Sequence, residues 1–199
     1  MKFKEWITQH NIVLASKSPR RAELLRLMDI PFRILTCDTD ESYDEALKAK
    51  EIPIYIAQQK ALAVRSHYRI ENEIIIGADS IVFLNDDIMG KPTNAKEAYR
   101  MLAKLSGKKH TVTTGVCILF NQRVIKFASS SEVLMRPLDH DEVNYYIDTY
   151  QPYDKAGGYA IQEWIGMNKI SHIEGSYTNI MGLPTDLVYE ALKGLMSDA

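Results

Sequence analysis

Apolar positions along the chain fall into short β-branched runs that alternate with longer stretches of helical spacing. Residues 12–15, Ile-Val-Leu-Ala, read as a buried strand, and residues 74–78 as a second, with extended structure resuming at 81–84. Between them, Pro19 opens a helix with Ser18 as its N-cap and Leu24, Leu25 and Met28 as its apolar stripe. A second helix is predicted from Pro53 to about Tyr68. Asn94 followed by Glu97 has the spacing of a capping box, and Gly107 stands where a helix would end in a left-handed residue. Residues 112–120 and 124–135 read as antiparallel strands around Asn121 and Gln122. Asp139 and Glu142 open a further helix to about Tyr150, residues 155–159 form a glycine-rich loop or irregular strand, and residues 184–196 form a closing helix. Strands alternating with helices predict an α/β fold.

The chain has 199 residues, enough for one domain or for one domain with two lobes. Its net charge of −2 argues against a nucleic-acid coat but leaves room for a local anion site. Residues 1–10 carry Lys2, Lys4 and Glu5 without an apolar h-region, and no apolar run reaches the ~20 residues of a membrane span. The expectation is a cytoplasmic protein with no membrane partner. Cys37 and Cys117 lie far apart with no zinc-ligand spacing, and read as reduced, packed thiols. The five histidines show no metal-ligand spacing either, and read as structural or surface residues.

Candidate chemistry begins at Ser16-Lys17-Ser18-Pro19-Arg20-Arg21, where a strand leads in and a helix leads out. Backbone N–H groups at a helix start, hydroxyls and guanidiniums together make an anion site, although no Walker A pattern is present. A capped helix with solvated arginines reads equally well from these residues alone. Lys60, amid Ile56, Ala57, Ala63 and Val64, either meets a partner or snorkels. Asp79 is placed just past the end of the 74–78 strand, where carboxylates often line the ligand crevice of an α/β sheet; a turn or cap aspartate is the alternative. Glu41, after Asp38 and Asp40, could hold a divalent cation or belong to a solvated acidic loop. Lys91 lies in a Gly-Lys-Pro turn, and Gln162 follows an apolar pair.

Taken in order, the segments 14–21, Asp40-Glu41, Lys60-Ala61, Gly77-Ala78-Asp79-Ser80, Gly90-Lys91-Pro92, Asp154-Lys155-Ala156-Gly157, Ile161-Gln162 and Gly175-Ser176-Tyr177 through Gly182-Leu183-Pro184 resemble the Maf family of nucleotide pyrophosphatases. The resemblance spans residues 12–184 and implies a single domain over residues 1–199. Its fold would be a mixed, twisted α/β sheet with flanking helices and two lobes around a deep cleft, similar to inosine triphosphate pyrophosphatases. It implies hydrolysis of a nucleoside triphosphate to the monophosphate and pyrophosphate. By position, Ser16, Arg20, Arg21, Lys60 and Lys91 would bind phosphates. Glu41 and Asp79 would hold Mg²⁺ or Mn²⁺, with Asp79 activating water. Arg20, Ser80 and Gln162 match positions linked to base choice, and the branch that looks most similar acts on dTTP and UTP. A sister branch acting on 7-methyl-GTP carries Glu at the position of Gln162 and lacks the Asp-Lys-Ala-Gly run. Ser80 stands where Thr is usual, and Lys17 where a small residue is common. Three other readings stay open: a nucleotide-binding regulator, for example of cell division, without turnover; a pyrophosphatase for a purine or modified nucleotide; and a phosphatase acting on monophosphates. The oligomeric state, a homodimer included, is left open as well.

Overall fold

A computed structural model of the chain describes residues 2–44, 46–85 and 87–197. The apolar runs become strands of one mixed sheet, in the order β2-β1-β3-β5-β6-β7, with β4 pairing on β3. These are β1 (Ile12–Ala15), β2 (Arg33–Ile34), β3 (Ile74–Leu84), β4 (Asp87–Met89), β5 (Lys109–Phe120), β6 (Arg123–Met135) and β7 (Ile170–Glu174). β1 pairs in parallel with both β2 and β3, while the β3–β4 and β6–β7 pairs are antiparallel. The two-residue connection at Asn121 and Gln122 joins neighbours β5 and β6 as a hairpin, with Asn121 at φ 53°. The helices are α1 (Phe3–Thr8), α2 (Pro19–Leu27), α3 (Ile52–His67), α4 (Ala95–Leu105), α5 (His140–Tyr150), α6 (Trp164–Lys169), α7 (Tyr177–Met181) and α8 (Thr185–Ser197). The α/β sheet with its helices agrees with the fold class read from the pattern. None of the described helices is long and apolar enough to cross a membrane.

The chain divides into two compact units. The first comprises residues 1–79, 114–129 and 182–199; the second comprises 80–113 and 130–181. In the first, α3 lies on the sheet. Its Ala57, Ala61 and Val64, at spacings of four and three, pack with Val13, Ala15, Ile75, Cys117 and Leu119. A Cβ on Gly77 would stand 2.3 Å from the Ala57 carbonyl oxygen, so only glycine lets the backbones of helix and strand approach this closely. Cys117 is a core thiol; burial pushes it up to about 11, which leaves it unreactive at neutral pH. Cys37 is half-buried, and both thiols are free.

Several local expectations need correction. Ser18 is the N-cap of α2, yet its side chain makes no capping bond. Asn94 does accept from the Glu97 N–H, but Glu97 reaches the N–H and hydroxyl of Thr93 rather than Asn94, so the box is displaced by one residue. Asp139 and Glu142 form the full reciprocal box. Residues 156–158 are a 3₁₀ turn, with Gly157 and Gly158 at φ 71° and 75°. The segments α1, β2, β4, α6, β7 and α7 have two to six residues each. Pieces this short do not display a period.

In the second unit His110 is buried, with its Nε2 2.6 Å from the Tyr159 hydroxyl. Burial lowers its pKa from 6.5 to about 4, so the neutral ring is the folded form. The unfolded chain therefore binds more protons between those values. The stabilisation is complete above pH 6.5 and is lost as pH falls toward 4, up to about 3 kcal/mol. Urea unfolding at pH 7 and pH 4 should show wild type losing about 2–3 kcal/mol more than His110→Phe on acidification. Equal losses would remove His110 from the acid response.

Candidate active site

β1 ends at Ala15 and the chain turns at residues 16–18 into α2. Ser16 is buried, and its Oγ accepts from the Ser18 N–H at 3.3 Å and from Arg21 Nη1 at 2.9 Å. Arg21 is only 8% exposed, and its Nε donates to the Gly182 carbonyl at 2.8 Å. Burial lowers its pKa from the ordinary guanidinium value, opposed by the negative charge of Asp79. An arginine nevertheless remains charged, and this one is locked into a network at the base of the turn. Lys17 points elsewhere, to an exposed ion pair with Asp38 at 2.8 Å. Arg20 is half-buried beside Arg21.

Asp79 is not at a strand end. β3 continues without a break to Leu84. What ends is the partner: parallel pairing with β1 stops at Gly77, opposite Ala15, and pairing with β4 starts at Val82. Asp79 therefore lies just beyond the carboxyl end of the parallel pair although its own strand runs on. Gly77 and Asp79, two apart, share a face of β3, and Lys60 lies one turn after Ala57 on α3. The contact that requires Gly77 thus brings Lys60 over Asp79. Lys60 Nζ is 2.7 Å from Asp79 Oδ1 and 2.8 Å from Glu41 Oε1. The Lys60 and Asp79 side chains are 15% and 10% exposed, that of Glu41 47%. Lys60 is the partnered lysine of the two alternatives, not a snorkelling one.

The first unit thus brings Ser16 to Arg21, and Glu41 and Asp79 to Lys60. Its charged set holds three cations, Arg20, Arg21 and Lys60, against two carboxylates. Among the described residues no group of three or more His, Cys, Asp or Glu side chains could hold a metal ion on its own. Glu41 and Asp79, which both reach the Lys60 ammonium, match in number and type the one or two carboxylates that Mg²⁺ commonly takes, with water and substrate phosphates filling its shell.

Ser80, Lys91 and Gln162 belong to the second unit. Ser80 is half-buried on β3 and Lys91 is exposed in the turn after β4. Gln162 Oε1 is buried without a hydrogen-bond partner among the described residues, which costs about 1–3 kcal/mol. Sequence reasoning singled out Lys155 within the Asp-Lys-Ala-Gly run but gave it no role, and it missed Tyr146 and Glu163. Lys155, 7% exposed, pairs with Asp154 Oδ1 at 2.7 Å and Glu163 Oε1 at 3.4 Å. Tyr146, fully buried on α5, donates from its hydroxyl to Glu163 Oε2. The available signal was Tyr146 on the apolar stripe with Val143 and Ile147, a position where a buried hydroxyl needs a partner.

The chain matches the family described as Maf-like protein over residues 11–195. It is 47% identical over 190 residues to a dTTP/UTP pyrophosphatase of Parabacteroides distasonis, covering 95% of this chain and 98% of that protein. A dTTP/UTP pyrophosphatase of Flavobacterium johnsoniae is 42% identical over 194 residues, 98% of this chain and 100% of that protein. Among solved structures, the Ham1 protein of Staphylococcus aureus is 14% identical with a TM-score of 0.44, covering 63% of this chain and 71% of that one. A nucleoside-triphosphatase, dITP/XTP pyrophosphatase, of Mycobacterium abscessus is 11% identical with a TM-score of 0.41, covering 94% and 97%. Likeness at that level does not bear on the site. With the family match running from β1 into α8 and relatives aligned along nearly their whole length, the chain belongs to the Maf family.

Proposed function

We propose that this chain hydrolyses dTTP and UTP to the monophosphate and pyrophosphate, with Asp79 activating the water that attacks the α-phosphorus. Family and relatives place it among the nucleoside triphosphate pyrophosphatases. The observation that carries the chemical reading is the Glu41–Lys60–Asp79 arrangement, two carboxylates on one ammonium beside the Ser16–Arg21 turn. Lys60 fixes one oxygen of Asp79 and so orients the carboxylate. General-base assistance of this kind is worth ~10²–10⁴-fold. Arg20, Lys60 and Lys91 would meet phosphate oxygens, and Arg21 with Ser16 would keep the turn in shape. A divalent ion held by Glu41 and Asp79 would neutralise charge on the pyrophosphate leaving group.

Base choice is assigned to Gln162. Uracil and thymine present an N3–H donor between two carbonyl acceptors, and one amide supplies an acceptor and donors on one plane. The Gln162 Oε1 has no partner among the described residues, and a base N–H would supply one. A turned amide also pairs with cytosine, so Gln162 does not separate UTP from CTP.

The deciding experiment is a panel of common triphosphates at equal concentration with pyrophosphate detection. Pyrophosphate release, fastest with dTTP and UTP, is expected. Highest kcat/KM on GTP or 7-methyl-GTP would overturn the base reading and leave the pyrophosphatase. Inorganic phosphate instead of pyrophosphate would point to a phosphatase, and binding without turnover to a regulator. Gln162→Glu, acceptor-only, should weaken dTTP and UTP hydrolysis about ten- to hundredfold with metal dependence unchanged.

A further inference from the structure

Gln162 stands at a corner of a turn. The Glu163 N–H donates to the Ala160 carbonyl at 3.2 Å, so residues 160–163 close a four-residue turn with Ile161 and Gln162 at its centre. One side-chain group holds both ends of this turn. The Tyr146 hydroxyl accepts from the Ala160 N–H at 3.1 Å and donates to Glu163 Oε2. Lys155 takes the other Glu163 oxygen at 3.4 Å, which ties the turn to the glycine-rich segment before it. From the other side, a Cβ on Gly166 of α6 would lie 1.7 Å from the Ile161 carbonyl oxygen, so the helix backbone rests directly on the peptide that precedes Gln162. Tyr146 is fully buried and stacks on Tyr150 with ring centroids 4.9 Å apart. Its hydroxyl is therefore delivered from a rigid element.

We infer that Tyr146 is a positioning residue for base selection: through Ala160 and Glu163 it fixes the turn that presents the Gln162 amide. The inference rests on the base-reading role proposed for Gln162. An amide that pairs with two adjacent positions of a base needs its plane and reach fixed together. A turn released at both ends loses that alignment while the Glu41–Lys60–Asp79 group, in the other unit, is left as it was.

Tyr146→Phe keeps the ring and removes both bonds. KM for dTTP and UTP should rise about tenfold with kcat within about twofold, while KM for purine triphosphates stays unchanged, so the pyrimidine preference falls about tenfold. Glu163→Ala should lower the preference to the same degree. Glu163→Gln retains a carbonyl oxygen for the Tyr146 hydroxyl and should hold the wild-type preference. Tyr146→Phe combined with Glu163→Ala should be no worse than the lower single variant, as expected of two residues acting as one device. A folded Tyr146→Phe enzyme with wild-type KM and preference overturns the inference. So does a uniform fall in kcat on every nucleotide with a lowered Tm, which would mark a purely structural tyrosine. Should Tyr146→Phe fail to fold, the Glu163 pair decides: loss in Ala with rescue in Gln supports the inference, and equal behaviour overturns it. A wild type without any pyrimidine preference overturns the role of Gln162 and the inference with it. A wild-type preference that survives Tyr146→Phe overturns the inference alone.

Discussion

Replacing Asp79 by Asn should lower pyrophosphate release from dTTP and UTP by at least ~10²-fold while the protein still folds. The amide has the shape of the carboxylate and keeps an oxygen for Lys60 Nζ, now 2.7 Å from Asp79 Oδ1. It does not carry the negative charge that, in the proposed mechanism, would take a proton from water. Lys60 also keeps its contact with Glu41 at 2.8 Å, so the ammonium is not stranded. Removing one member of a buried pair outright costs ~3–5 kcal/mol; an isosteric amide with a second carboxylate on the same lysine should cost about 1–2 kcal/mol. For a chain of this length that is a shift in Tm of roughly 2–8 °C. Near-normal kcat/KM in Asp79→Asn would sink the base assignment. A protein that no longer melts cooperatively would mean that Asp79 is first of all a structural member of the triad.

Excess chelator should reduce turnover by ~10²-fold or more, with recovery on adding Mg²⁺ or Mn²⁺. The reason lies in how the protein's own cations are engaged. Arg21 Nε and Nη1 are bonded to the Gly182 carbonyl and to Ser16. Lys60 already faces two carboxylates. Arg21 is held by the turn and Lys60 shares its charge with two carboxylates, so the protein's own cations offset only part of the charge of a triphosphate, whose leaving pyrophosphate needs neutralising in the transition state. Full activity in chelator would show that Arg20, Lys60 and Lys91 suffice, and would remove Glu41 from any metal role. Partial activity that responds to Glu41→Gln but not to added metal would place Glu41 with Lys60 as a positioning group.

The amino-acid sequence determined the elements whose chemistry is local. The β-branched runs at 12–15 and 74–78, the hairpin at Asn121, the proline in the first turns of α2 and α3 and the Asp139–Glu142 box each rest on sterics or hydrogen bonds within a few residues, and each is legible without a fold. Asp79, Lys60 and Glu41 were legible as unusual residue types in their surroundings and through family resemblance. Their meeting was not. Lys60 is nineteen positions from each carboxylate; the docking of α3 on β3, made possible by Gly77, closes the distance to Asp79, and the segment between β2 and α3 brings Glu41 back onto the same ammonium. Arg21 reads as a phosphate ligand from its neighbours, yet its Nε is held by a carbonyl 161 residues away. The place of Asp79 on β3 was misjudged because a strand's own residues do not tell where its neighbour stops. The Tyr146 hydroxyl on both ends of the 160–163 turn left no mark in the pattern, because a buried tyrosine on an apolar stripe looks the same whatever its oxygen touches. Periodicity comes from backbone geometry and is written locally, whereas the partner of a buried polar group is chosen by which surfaces pack, and that is settled only when the whole chain has folded.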